Sequence, residues 1–171
     1  MPALFLLMRF VHIVIGTFWA GTLIFAAGLL MPSVRDAGPD GGKVMLALMR
    51  RGYMNIIPAA AVLTLLSGFW LYWQDVTAGG AEWAGSLSAR IFGVGALAAL
   101  VAFAIGISVM RPNAMKLFAL MESMATTPEG PARAALMEQT NAPRAKMTAA
   151  APRVAVLLAV ATACMAVARY L

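Results

Sequence analysis

The sequence predicts an all-α, polytopic transmembrane four-helix bundle threaded up and down, and three observations carry that prediction. Four apolar stretches, Leu4–Met31, Ile56–Trp73, Arg90–Met110 and Val154–Tyr170, have the length of membrane spans. A hydrocarbon core about 30 Å thick takes ~20 residues of α-helix, with about 17 as the short limit. The 171-residue chain is 62% hydrophobic and 12% charged, about half the charged fraction of a water-soluble domain. Its cations are segregated into two of the three connections. One domain over residues 1–171 is expected, because four spans leave no room for a separate soluble one.

The charge pattern sets a topology. Ten of the 13 Lys and Arg residues fall in two connections: Arg35, Lys43, Arg50 and Arg51 after the first span, and Arg111, Lys116, Arg133, Arg144, Lys146 and Arg153 between the last two. The middle connection, Gln74–Ala89, has no cation and carries Asp75 and Glu82. The positive-inside rule makes the basic connections cytoplasmic and puts the middle one and both termini on the other side. Arg9, Arg90 and Arg169 run against the bias without reversing it. The net charge of +6 therefore reports topology and affinity for anionic headgroups rather than a nucleic-acid partner. The first apolar stretch is too long for the h-region of a secretory signal and is expected to stay in the mature protein.

Along the chain, Gly16 and Ala20, and Thr17 and Gly21, fall four apart in the first span, with Gly28 beyond them. Gly95, Ala99, Ala102 and Gly106 repeat the device in the third. Small residues at this spacing let helix backbones approach closely in lipid. The first and third spans are thus the expected close pair, and Gly16, Ala20, Gly95, Ala99 and Gly106 the expected face for a homo-oligomer or a larger membrane complex. Pro32, Gly38, Pro39, Gly41 and Gly42 are expected to end the first helix in a turn-rich connection. Lys43–Tyr53 reads as a short helical lead-in, and Pro58 as an early-turn proline of the second span. Trp70, Tyr72, Trp73 and Trp83 mark a membrane boundary. The connection at about 111–153 is expected as a helical cytoplasmic extension: Ala114–Met124, a turn around Thr126–Pro131, then Ala132–Ala142 ending near Pro143. No internal repeat supports a transporter with inverted halves.

One residue speaks to chemistry. His12 is the single histidine and lies inside the first span, where an ionisable side chain is costly and usually faces protein. Imidazole can ligate a metal or haem through one nitrogen while an acceptor holds the other. Arg9 precedes it by three residues on the same face. At comparable depth lie Ser67 and Gly68, Gly93 and Gly95, and Cys164 and Met165. The two glycines of the third span would leave room for a flat ligand, and Met165 is the candidate second axial ligand. Arg90 and Arg169 join Arg9 near the same surface, where carboxylates of a bound group would meet them. The alternative is a neutral histidine bonded across helices. Cys164, the lone cysteine, reads as a small core residue. The spans carry no paired carboxylates for a proton pump, no phosphate loop and no nucleophile–base pair.

The stretch Arg9-Phe-Val-His12-Ile-Val-Ile-Gly-Thr-Phe-Trp19-Ala-Gly21 resembles the first helix of CopD-like bacterial membrane proteins, and Thr64-Leu-Leu-Ser67-Gly68-Phe-Trp70 extends the likeness into the second span. The layout is also similar to the four-helix, haem-associated protoporphyrinogen oxidases of membranes. The resemblance implies a bacterial inner-membrane protein handling copper or binding haem b near His12; Met165, Arg9, Arg90 and Arg169 join His12 as expected site residues on the depth and charge argument above. The chain departs from a bis-His haem protein in having no second histidine. A non-catalytic accessory subunit of a larger electron-transfer complex is the competing expectation. An enzyme oxidising a porphyrin stands third.

Overall fold

The computed structural model describes residues 3–171; Met1 and Pro2 of the expected domain, and the side chain of Pro39, lie outside the described residues. Helix α1 (Ala3–Phe25) passes through a π-helical turn, Ala26–Leu30, straight into α2 (Met31–Asp36). Next come α3 (Gly38–Arg50), α4 (Tyr53–Gly85) and α5 (Leu87–Ile105). A second π turn, Gly106–Met110, joins α5 to α6 (Arg111–Thr126). Then α7 (Pro131–Gln139) and α8 (Asn141–Val167) lead to a closing 3-10 turn, Ala168–Tyr170. No strand occurs among the described residues. In lipid every backbone N–H and C=O needs an internal partner, and helices supply it.

Four helical stretches, Ala3–Asp36, Tyr53–Gly85, Leu87–Thr126 and Pro131–Tyr170, are long and apolar enough to cross a membrane. Each contains one of the four expected spans, and the protein is a multi-pass membrane protein. The stretches outrun the bilayer: 40 residues make about 60 Å of helix at about 1.5 Å per residue. The excess builds a second storey at the basic end, where α3 packs on α6 and Arg50 reaches Glu122 at 3.3 Å. The expected helical extension at 111–153 is therefore present, and its Thr126–Pro131 turn separates α6 from α7. Pro143, expected at a helix end, instead sits buried in the first turn of α8, where a missing N–H costs nothing.

Pro32 does not end the first helix. The Met31 N–H reaches back five residues to the Ala26 carbonyl, and the Arg111 N–H does the same to Gly106 ahead of Pro112. A proline ring crowds the carbonyl four residues back and offers no N–H; widening the preceding turn to π geometry removes that conflict. The same solution serves both stretches. The lead-in α3 starts at Gly38, so Gly41 and Gly42 are helical rather than part of a loop. Gly52, at φ +88°, turns the chain between α3 and α4 in a conformation that only glycine adopts cheaply. Pro58 lies deeper in α4 than an early-turn position.

The middle connection is not a loop either. Helix α4 continues beyond Trp73 and is broken at Gly80, whose φ of 60° and ψ of −150° again call for glycine. The returning turn lays Trp83 edge-on against Tyr72, with ring centroids 5.2 Å apart. Ser86 then caps α5, its hydroxyl oxygen accepting from the Ala89 N–H at 3.1 Å.

The four helices close a ring of antiparallel seams: α1 with α4, α4 with α5, α5 with α8, and α8 with α1. The first and third spans, expected as the close pair, therefore sit across the diagonal; each uses its small residues on a sequence neighbour. A Cβ at Gly16 would meet the Thr64 side chain in α4, and one at Gly95 would meet Cys164 in α8. The core is thin and alanine-rich, with Trp19, Ile57, Leu158 and Val154 as its large members. Ala20, Gly95 and Ala99 are buried in it. Most of the residues expected to bind a partner are thus consumed inside the chain. Outward faces carry large apolar side chains instead, such as Phe69 at 72% and Leu66 at 64% exposed. That inversion suits lipid and would not suit water.

Candidate functional site

The only histidine is set into the seam between α1 and α4. Antiparallel register pairs Phe5 with Trp70 near the outer mouth of the seam, ring centroids 6.2 Å apart. Further in, His12 meets Thr64, Ser67 and Gly68, and Gly16 then meets Thr64. His12 stands nine residues from the start of α1, about 14 Å along the helix.

The hydrogen bonds assign its tautomer. His12 Nδ1 lies 2.9 Å from the Thr64 carbonyl oxygen, which can only accept, so Nδ1 carries the hydrogen and donates it. Ser67 spends its hydroxyl hydrogen on the Leu63 carbonyl at 2.6 Å, which turns its oxygen toward Nδ1 at 3.4 Å. Thr64 donates from Oγ1 to the Ala60 carbonyl at 2.8 Å. Every hydroxyl around the ring is therefore committed, and Nε2 is left with a lone pair. A backbone carbonyl on one imidazole nitrogen is the arrangement that orients the other for ligation. It equally satisfies a structural histidine bonded across helices.

Gly68 makes the seat. A Cβ there would fall 2.6 Å from His12 Cε1 and 3.0 Å from Nδ1, so the ring lies against bare backbone. The glycines expected to make room for a flat ligand do other work. A Cβ at Gly95 would lie 2.9 Å from Cys164 Cβ and 3.2 Å from Met165 Cε, so the third-span notch is filled by the fourth helix. Gly93 is half-buried, with open space beside it. Met165, packed on α5, and His12, packed on α4, belong to different seams, and this packing does not present them as an axial pair. Cys164 lies in the bundle as the small packing residue the sequence suggested.

Arg9, Arg90 and Arg169 all occur at the end of the bundle that holds the mouth of this seam: the start of α1, the start of α5 and the closing 3-10 turn. Arg9 is half-buried, the other two are exposed, and none forms an ion pair among the described residues. Ser88 ties this end together by donating to the Ala168 carbonyl at 2.6 Å. At the opposite end Lys43 bonds Asp40 at 2.7 Å. That contact holds the Asp40 carboxyl below its usual range and the Lys43 ammonium above its own; in full solvent it contributes little to stability.

The donor set fits one coordinate bond, from Nε2, and no more. Among the described residues no three His, Cys, Asp or Glu side chains converge to hold a metal ion. A macrocycle enclosed by the four helices does not fit, because Gly68 is filled by His12 itself, Gly95 by Cys164 and Met165, and the remaining core by alanines. Ser67 and Gly68 were expected at the depth of His12; Thr64, one turn further along α4 and its nearest acceptor, was not, since helix rotation decides which residues face the ring. Comparison with protein-family models, curated proteins and solved structures found no match to this chain.

Proposed function

We propose that this is a small CopD-like membrane protein in which His12 Nε2 serves as a single-point ligand to haem b or a metal ion in the outer leaflet. The observation that supports it is the Nδ1–H bond to the Thr64 carbonyl, which leaves Nε2 as the free base of an otherwise satisfied polar cluster. With one protein ligand and no enclosed cavity, the group would sit at the edge of the bundle or between chains, with Arg9 on the same helix as the first cation to meet a carboxylate and Arg90 and Arg169 as the others at that end of the bundle. A haem held there would supply one-electron chemistry; the chain's part would be to offer Nε2 from a ring whose orientation the Thr64 carbonyl fixes. The test is an absorption spectrum of protein purified from a haem-sufficient source. A Soret band, and its loss in His12→Ala with helicity unchanged, is expected. Colourless, metal-free protein ends the proposal.

The second reading is a non-catalytic accessory subunit, favoured by one feature of α1. Thr17 and Gly21 in α1 and Gly28 in the π turn after it are exposed, and a Cβ at either glycine would meet nothing within 4 Å. This separate small-residue face is left open while Gly16 and Ala20 pack internally. Stoichiometric partners retained in mild detergent support that reading; a lone stable monomer counts against it.

The proposed location is a bacterial inner membrane, with the α3, α6 and α7 storey cytoplasmic and both termini outside, on the strength of the ten cations at that storey's end. Gly79 is a poor site for a reporter, because a side chain there would run into Trp83. Exposed Ala78 is the better one. Ala78→Cys is expected to react with an impermeant maleimide from the non-cytoplasmic side of intact cells. Labelling only after the inner membrane is opened reverses the topology.

A further inference from the structure

A groove of about 290 Å³ runs along the outside of α1 at the basic end of the bundle, between that helix and the start of α4. Its walls include Phe18, Thr22 and Phe25 from α1 and Ile56 from α4, and Arg51 and Tyr53 stand at its end. Phe18, Phe25 and Ile56 are 47%, 52% and 50% exposed, so the groove opens sideways into the lipid rather than into the bundle. Phe18 to Phe25 covers about 10 Å of helix, a length suited to part of an acyl chain. The cation at the end is free to act. Arg50 is engaged by Glu122, whereas Arg51 forms no ion pair among the described residues and is exposed. The turn at Gly52, with its N–H bonded to the Met49 carbonyl at 3.0 Å, fixes Arg51 where α4 enters the membrane.

From this juxtaposition of a lipid-open apolar groove with one unpaired guanidinium at its headgroup end, we propose a binding site for one anionic phospholipid, acyl chain along Phe18 and Phe25 and phosphate on Arg51. An arginine offers a phosphate two parallel hydrogen bonds as well as charge. Near the membrane surface each such cation favours an anionic lipid by about fivefold. The site is separate from His12, which lies further along the same α1–α4 pair, toward the other end of α1.

Native mass spectrometry of delipidated protein, titrated with phosphatidylglycerol and with phosphatidylcholine, tests it. One phosphatidylglycerol is expected to bind about fivefold more tightly than phosphatidylcholine. Arg51→Gln is expected to abolish that preference, weakening phosphatidylglycerol more than phosphatidylcholine, which shares the phosphate but carries no net charge. Arg35→Gln, off the groove, is expected to change neither. Thr22→Phe, which fills the groove, is expected to weaken both lipids; if that variant does not fold, Arg51→Gln alone decides. Equal binding of the two lipids, or a preference that survives Arg51→Gln, overturns the proposal. So does displacement of the lipid by millimolar inorganic phosphate, which would identify a free anion as the occupant.

Discussion

Gly95→Val is expected to destabilise the folded protein by about 2–3 kcal/mol, measured as a shift in the unfolding midpoint when dodecyl sulfate is titrated into mild-detergent micelles. The distances set the sign. A Cβ at Gly95 would stand 2.9 Å from Cys164 Cβ, 3.2 Å from Met165 Cε and 3.3 Å from the Ala161 carbonyl oxygen. The methionine methyl can swing away. The other two are a Cβ and a backbone oxygen, so relief requires α5 and α8 to separate. Overpacking of this kind costs typically 1–3 kcal/mol. The loss is large here because the α5–α8 seam is the most extensive in the bundle, and lipid supplies no hydrophobic drive to close it elsewhere. Two controls locate the cause. Gly106→Ala has open space around it and is expected to be neutral or to gain up to about 1 kcal/mol from helix propensity. Cys164→Gly removes the opposing Cβ, and in combination with Gly95→Val should recover on the order of 1 kcal/mol as coupling energy. A Gly95→Val protein with an unchanged midpoint would mean that α5 and α8 are not packed at this position.

The contrast between Gly95 and Gly106 shows where sequence reading stops. Four apolar stretches and two basic connections were enough for the all-α membrane bundle, because span length and charge placement are set by the bilayer and need no tertiary information. Which helix each small residue faces is a different kind of fact. A glycine or alanine stripe licenses close approach without naming the neighbour, so the first and third spans read as partners when each was built to receive an adjacent span. The π turns before Pro32 and Pro112 were hidden for a related reason. Pro32 read locally as a stop, and continuing past it depended on a backbone rearrangement that side chains do not encode individually. Trp73 was expected at a membrane boundary and at the end of its span, but the helix does not stop there: α4 runs on to Gly80 before bending. At the candidate site, His12 was legible from the cost of putting imidazole in lipid. Its acceptor was not, because a backbone carbonyl in the next helix has no sequence signature. The glycine that seats the ring is Gly68 in the second span, while Gly93 and Gly95 of the third do not touch it.

That second-span glycine carries the other large effect. Gly68→Ala is expected to cost about 2 kcal/mol and to release His12 from Thr64. The added methyl would lie 2.6 Å from Cε1 and 3.0 Å from Nδ1, well inside contact distance for a ring held by its own hydrogen bond. The imidazole then has to rotate away, losing a bond worth about 1 kcal/mol and leaving a polar ring without a partner in an apolar seam. Helix propensity returns up to about 1 kcal/mol, which is why the net loss stays near 2. Gly16→Ala on the facing helix is the graded comparison. Its nearest neighbour is the Thr64 methyl at 3.1 Å, which has to yield only a few tenths of an ångström, and a loss below about 1 kcal/mol is expected. Stability alone would not separate a crowded helix seam from a displaced histidine, so the ring is read directly. Nitrogen NMR of labelled His12 is expected to show hydrogen on Nδ1 in the wild type, because the Thr64 carbonyl cannot donate, and loss of that fixed tautomer in Gly68→Ala. A wild-type ring protonated on Nε2 alone would remove the lone pair on which ligation depends. An unchanged Nδ1–H signal in the alanine variant would show that the ring does not rest on Gly68.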